Sequence, residues 1–102
     1  MNEPDIKTIR NKLGVPDKHK FLGYLILDTR KDDFLLSYSG DKDYFTCKEW
    51  CAFPDLALKF DSYCKVVEII NHLEINDTAI IVMAFDLGSQ VGVIPFEPEM
   101  MN

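Results

Sequence analysis

Residues 21–27 read Phe-Leu-Gly-Tyr-Leu-Ile-Leu, an almost unbroken apolar stretch without a charge. A strand with one solvated face alternates polar and apolar side chains, so this run belongs to a central strand covered on both faces. Tyr24 and Ile26 favour extended backbone. The remaining segments must supply the covering layers.

Upstream, Ile6, Ile9 and Leu13 fall at helical spacing, Pro4 suits a first turn, and Gly14 and Pro16 form a stop, which predicts an amphipathic helix over 4–13 and a linker over 15–20. The polar face of that helix carries Lys7, Arg10 and Lys12, so it is either a packed element or a detachable arm. Downstream, 28–33 reads as a loop. Phe34, Leu36 and Tyr38 then alternate with Leu35, Ser37 and Ser39 in a second strand, Gly40 and Asp41 turn the chain, and 44–47 forms a short third strand. One helical turn falls within 50–59. Asp61 or Ser62 caps the main helix, on which Tyr63, Val66, Val67, Ile70 and Leu73 form the apolar stripe. Neither cap has Glu or Gln three residues later, so the capping-box pattern is missing. Strands over 78–85 and 91–96 flank the turn residues Asp86, Gly88 and Ser89, and Pro95 pushes the last strand to a sheet edge. The expected fold is one α+β domain over 1–102: an N-terminal helix, an antiparallel three-stranded meander, a main helix packed on the sheet, a C-terminal β-hairpin, and a frayed tail over 97–102.

The 102 residues suffice for one core, with no disulfide or metal needed for stability. Net charge is −6, which disfavours direct nucleic-acid binding, because lysine and arginine on phosphates supply most of that affinity. Residues 1–20 hold five bases (Lys7, Arg10, Lys12, Lys18, Lys20) against three acids (Glu3, Asp5, Asp17), a net of +2, leaving −8 for the rest. From Val66 onward there are six acids and neither lysine nor arginine, which gives either a solubilising surface or an acidic face for a basic partner. No secretory signal opens the chain and no apolar run is long enough for a bilayer, so the expectation is a cytoplasmic protein that does not engage membranes.

Cys47, Cys51, Cys64 and His72 invite a zinc reading, but gaps of three, twelve and seven residues do not match knuckle spacing, and no metal or cofactor is expected. Cys64 stands in the first turn of the main helix, where a thiolate is favoured, although His72 lies about two turns away along the axis. Asp32, Asp33, Asp41 and Asp43 read as turn formers. No catalytic residue is assigned, and the pattern favours a non-enzymatic role.

Tyr38 at the end of a strand, Trp50, Ala57 three residues before Phe60, Ser62 opening a helix, and Ile69 and Ile70 within it form an arrangement over 34–73. This resembles small β-meander and helix modules of phage and mobile-element encoded proteins of unassigned function. The resemblance implies a fold unit and carries no site.

The densest aromatic region is Tyr38, Tyr44, Phe45, Trp50 and Phe53. Tryptophan and tyrosine anchor interfaces, so Trp50, Tyr44, Tyr38 and Phe53 are the candidate interaction residues, Trp50 being the one expected to reach the surface. The same rings could instead fill the core. The leading reading is a protein-interaction or accessory module that binds a protein partner or itself. The alternative is a small-molecule-binding or enzymatic domain with an aromatic-lined pocket between sheet and helix.

Overall fold

A computed structural model of the chain describes residues 2–40 and 46–101. Helix α1 is Ile6–Leu13. Strands β1 (Phe21–Asp28), β2 (Asp33–Gly40) and β3 (Thr46–Cys51) follow, then a 3-10 turn at Pro54–Leu56 and helix α2 (Tyr63–His72). Strands β4 (Ala79–Asp86) and β5 (Val91–Pro95) precede a second 3-10 turn at Pro98–Met101. The class is α+β, with the strands joined in a single antiparallel sheet of order β3-β2-β1-β4-β5.

The predicted meander and hairpin are therefore not separate units. Long pairing of β1 with β4, from Phe21 opposite Phe85 to Asp28 opposite Ala79, fuses them and puts β1 at the centre. Pro95 lies on the edge strand β5, where its missing N–H removes no ladder bond from a further strand.

Both faces of the sheet are covered. On one, Tyr24, Ile26, Leu35, Met83 and Phe85 meet Ile9 of α1 and Val66, Ile69 and Ile70 of α2. On the other, Leu25, Phe34, Val82 and Ala84 enclose Ala57. The Pro54–Leu56 turn follows the edge strand β3 yet touches β5 at the opposite edge. The sheet must therefore curl toward closure around this second core.

The centre of the sheet depends on Gly23. Its φ of +128 suits glycine, and a Cβ there would stand 2.6 Å from the Phe60 carbonyl oxygen. The absence of that carbon lets Phe60 approach: Tyr24 N donates to Phe60 O at 2.7 Å and Phe60 N to Tyr24 O at 2.9 Å. β1 and β2 pair only at Leu27 with Phe34 and Asp28 with Asp33. Leu58 N donates to Leu35 O at 3.0 Å, so residues 58–60 wedge between β1 and β2.

α1 begins two residues after buried Pro4, because Asp5 caps it, accepting from Thr8 N at 3.2 Å and Thr8 Oγ1 at 2.8 Å. Gly14, at φ 73, closes it. The helix is packed against the domain: Ile9 is buried, and the Arg10 guanidinium donates to the carbonyls of Pro16 (2.7 Å) and His19 while lying 5.6 Å from the Phe85 ring centroid. The stretch expected as a linker is thus tied back to the helix.

Candidate functional site

The third strand extends past the sequence expectation. It reaches Cys51, so Trp50 is a strand residue opposite Leu35 rather than part of a loop. Trp50 and Tyr38 are half-buried and pack against the α2-side core, and Lys31 Nζ lies 5.9 Å from the Trp50 ring centroid. Trp50 is therefore not the residue that most reaches the surface. Among the described residues Phe53 is: it lies two residues beyond β3 and is 66% exposed. The candidate set is thus divided between a packed sheet face and a solvent-facing turn. Tyr44 and Phe45, with Asp41 and Asp43, lie outside the described residues.

Leu56, 64% exposed, was not singled out from sequence, although its spacing from Phe53 across Pro54 was the available signal. The two bracket one rigid turn. Leu56 N donates to Phe53 O at 3.2 Å, Ala57 N to Pro54 O at 3.2 Å, and Cys51 Sγ to Phe53 O at 3.4 Å. Lys59 Nζ donates to Asp55 O at 2.9 Å and Ala57 O at 3.2 Å, while the buried Ala57 anchors the turn from inside. Two large apolar side chains thus stand in solvent on a backbone that is already ordered.

A second arrangement gathers at the N-terminus of α2. Ser62 is the cap, accepting from Lys65 N at 3.2 Å, and Glu3 supplies acceptors for the first two amides of the helix. Its carboxylate accepts from Ser62 Oγ (3.0 Å), Tyr63 N (2.7 Å) and Cys64 N (2.8 Å). The Cys64 thiol above all, then the Cys64 and Tyr63 amides and the Ser62 hydroxyl, hold the Glu3 carboxyl down to about 2 against a smaller opposing effect of burial. The same hydrogen bond, with burial and the Glu3 charge, pushes the Cys64 thiol up. The helix end that favours a thiolate is already neutralised by a carboxylate, so Cys64 is a suppressed nucleophile. Tyr24, buried beside this group, is pushed up to about 12 by desolvation and then by the Glu3 charge.

Rings do cluster, but not where local density suggested. Phe21, Tyr24, Tyr63, Phe85 and Phe96 come from β1, α2, β4 and the segment after β5; Tyr63 and Phe96 are closest, with centroids 4.8 Å apart. Between sheet and α2 the side chains of Tyr24, Leu35, Val66 and Met83 are closely packed, each at most 1% exposed. An open groove of about 370 Å³ lies along the flank of α2, against the start of β4 and residues 96–98, with Tyr63 and Phe96 among its lining residues.

Among the described residues no group of three or more His, Cys, Asp or Glu side chains is gathered as a metal site would require. Cys47 is exposed and Cys51 half-buried. Of the loop carboxylates, Asp32 and Asp33 frame the β1–β2 turn, Asp32 with φ 60, around Asp28. Burial of Asp28 would raise its carboxyl, but bonds from Arg30 N (2.9 Å) and Lys31 N (3.4 Å), with the charges of those residues, hold it low. These are turn-forming contacts. No helix among the described residues is long and apolar enough to cross a membrane.

The chain matches no protein-family model, no curated protein and no solved structure in the comparisons made.

Proposed function

We propose that this domain is a small protein-interaction or accessory module, of the phage or mobile-element kind its sequence resembles, and that it docks through the turn bearing Phe53 and Leu56. The observation that carries this reading is the exposure of both side chains, 66% and 64%, on a turn fixed by hydrogen bonds from both sides. Large apolar anchors that are ordered before binding lose little conformational entropy on docking. No comparable arrangement of a nucleophile, a base and its orienting partner accompanies them among the described residues.

Self-association is the form of docking that the surroundings support. β3 is an edge strand and ends two residues before Phe53, so a two-fold pairing of β3 edges would bring two copies of the turn alongside. Sedimentation equilibrium at tens of micromolar tests it. The expected result is a dimer for the native chain and a monomer for the double variant Phe53→Ser with Leu56→Ser. A native chain that stays monomeric, and whose affinity-captured partners are unchanged by the double substitution, would overturn the reading.

A further inference from the structure

A two-lobed cleft opens between the segment that follows α1 and the β4–β5 hairpin. Its apolar lobe, about 300 Å³, is lined by Val15, Pro16, Phe85, Val93 and Ile94. A polar lobe of about 230 Å³ is lined by Lys18, Asp86 and Gly88, and the two lobes share His19 and Leu87. Leu87 leans over Gly92, where a Cβ would stand 2.7 Å from its Cδ1, and remains 37% exposed between the lobes.

The walls are held in place before anything binds. Val15 N donates to Arg10 O at 2.9 Å, His19 N donates to Pro16 O at 3.0 Å, and the Arg10 guanidinium donates to the carbonyls of Pro16 and His19. Asp86 N donates to Lys20 O at 2.8 Å, which ties the end of this segment to β4. On the hairpin side, Phe85 pairs with Gly92 and Leu87 N donates to Gln90 O at 2.9 Å. A preformed apolar cavity with a few polar groups at one end suits a small ligand.

The polar lobe offers one charge of each sign. Asp86 gives Oδ1 to Gly88 N at 2.8 Å and keeps Oδ2 for another donor. The Lys18 ammonium and the His19 ring are bonded to none of the described residues, and Lys18 and Asp86 form no ion pair with each other. A ligand carrying only a carboxylate would meet Lys18 but also the Asp86 charge, and one carrying only an amine would meet the reverse. A molecule with both, beside an apolar group, matches the polar lobe and fills the cavity.

We infer that the cleft binds a free α-amino acid with a large apolar side chain, of the leucine or phenylalanine kind. Its ammonium meets Asp86, its carboxylate meets Lys18 and His19, and its side chain lies among Val15, Phe85, Val93 and Ile94. This site is separate from the docking turn, since the cleft shares no residue with Phe53 or Leu56.

Isothermal titration calorimetry of the full chain with L-phenylalanine and L-leucine tests it, beside glycine, phenethylamine and 3-phenylpropionate, which lack the side chain, the carboxylate and the ammonium in turn. One of the two amino acids should bind at least about tenfold more tightly than every control, and Asp86→Asn and Lys18→Gln should each weaken it about fivefold or more. Asparagine can still accept from the Gly88 amide and Lys18 is exposed, so both variants should fold, which circular dichroism checks. No saturable binding of either amino acid up to about 10 mM would overturn the inference. So would equal binding of phenethylamine or 3-phenylpropionate, or indifference to both substitutions. Loss of binding in the Phe53→Ser, Leu56→Ser double variant would move the site to the turn and likewise overturn it. Binding that persists in that variant, in a chain that never self-associates, would support the cleft while removing the dimer reading.

Discussion

Glu3 accepts the Cys64 amide at 2.8 Å although 61 residues separate them in the chain. This contact pins the N-terminal segment to the start of α2 and satisfies amides that a helix end otherwise leaves without partners. It also makes one exposed carboxylate responsible for both the order of residues 2–5 and the chemistry of a thiol.

Glu3→Gln should lower stability by about 0.5–1 kcal/mol, the lower part of the range for loss of a helix cap, because the carboxylate is exposed. The folded value of Glu3, about 2, lies below its ordinary 4.5, so its contribution is complete above 4.5 and fades as pH falls from there toward 2. Urea midpoints for the native chain and the variant should therefore differ at neutral pH and converge in acid. A gap that stays constant through that window would assign the effect to something other than the charge.

Cys64 should react slowly with a thiol-specific disulfide reagent, and Cys47, which is exposed, should react first. In Glu3→Gln the midpoint of the Cys64 rate against pH should move down, since the hydrogen bond and the charge that hold the thiol protonated are both weakened. Peptide mapping by mass spectrometry separates the two sites. An unshifted midpoint would mean that burial alone sets the reactivity.

Gly23→Ala should destabilise by about 2 kcal/mol or more, since the new methyl meets the Phe60 carbonyl and the backbone keeps a positive φ. Gly14→Ala, also at positive φ but with open space around it, should cost only about 1 kcal/mol. Equal losses in chemical denaturation would show that the Phe60 approach is dispensable.

Trp50→Ala should cost about 1–3 kcal/mol through lost packing on the α2-side core, whereas Phe53→Ala should leave the monomer's stability within about 0.5 kcal/mol. Thermal unfolding under dilute conditions, where self-association does not contribute, distinguishes the two. The reverse order would exchange their assignments as core and surface.

The central position of β1 was legible because burial on both faces leaves no room for polar alternation, and Ser62 was legible as a cap because that signal is local. Glu3 was not, since the capping-box pattern inspects three residues while the partner came from the other end of the chain. The expected end of β3 at Cys47 fell too early because Lys48 and Glu49 resemble loop residues. On an edge strand, though, charged side chains are tolerated. The Phe53 turn was half visible: the aromatic residue stood out, but the exposure of Leu56 depends on Ala57 turning inward, which spacing alone does not reveal.

The wedge at Phe60 makes the sheet difficult to assemble stepwise. A hairpin of β1 and β2 cannot zip beyond its turn, because the space along Tyr24 is reserved for a segment that follows β3. The nucleus must then gather regions far apart in sequence, and a high contact order of this kind slows folding. Opening that seam would release the amides of Tyr24, Leu58 and Phe60 in one event, so their hydrogen exchange should report a single cooperative unit rather than three independent fluctuations.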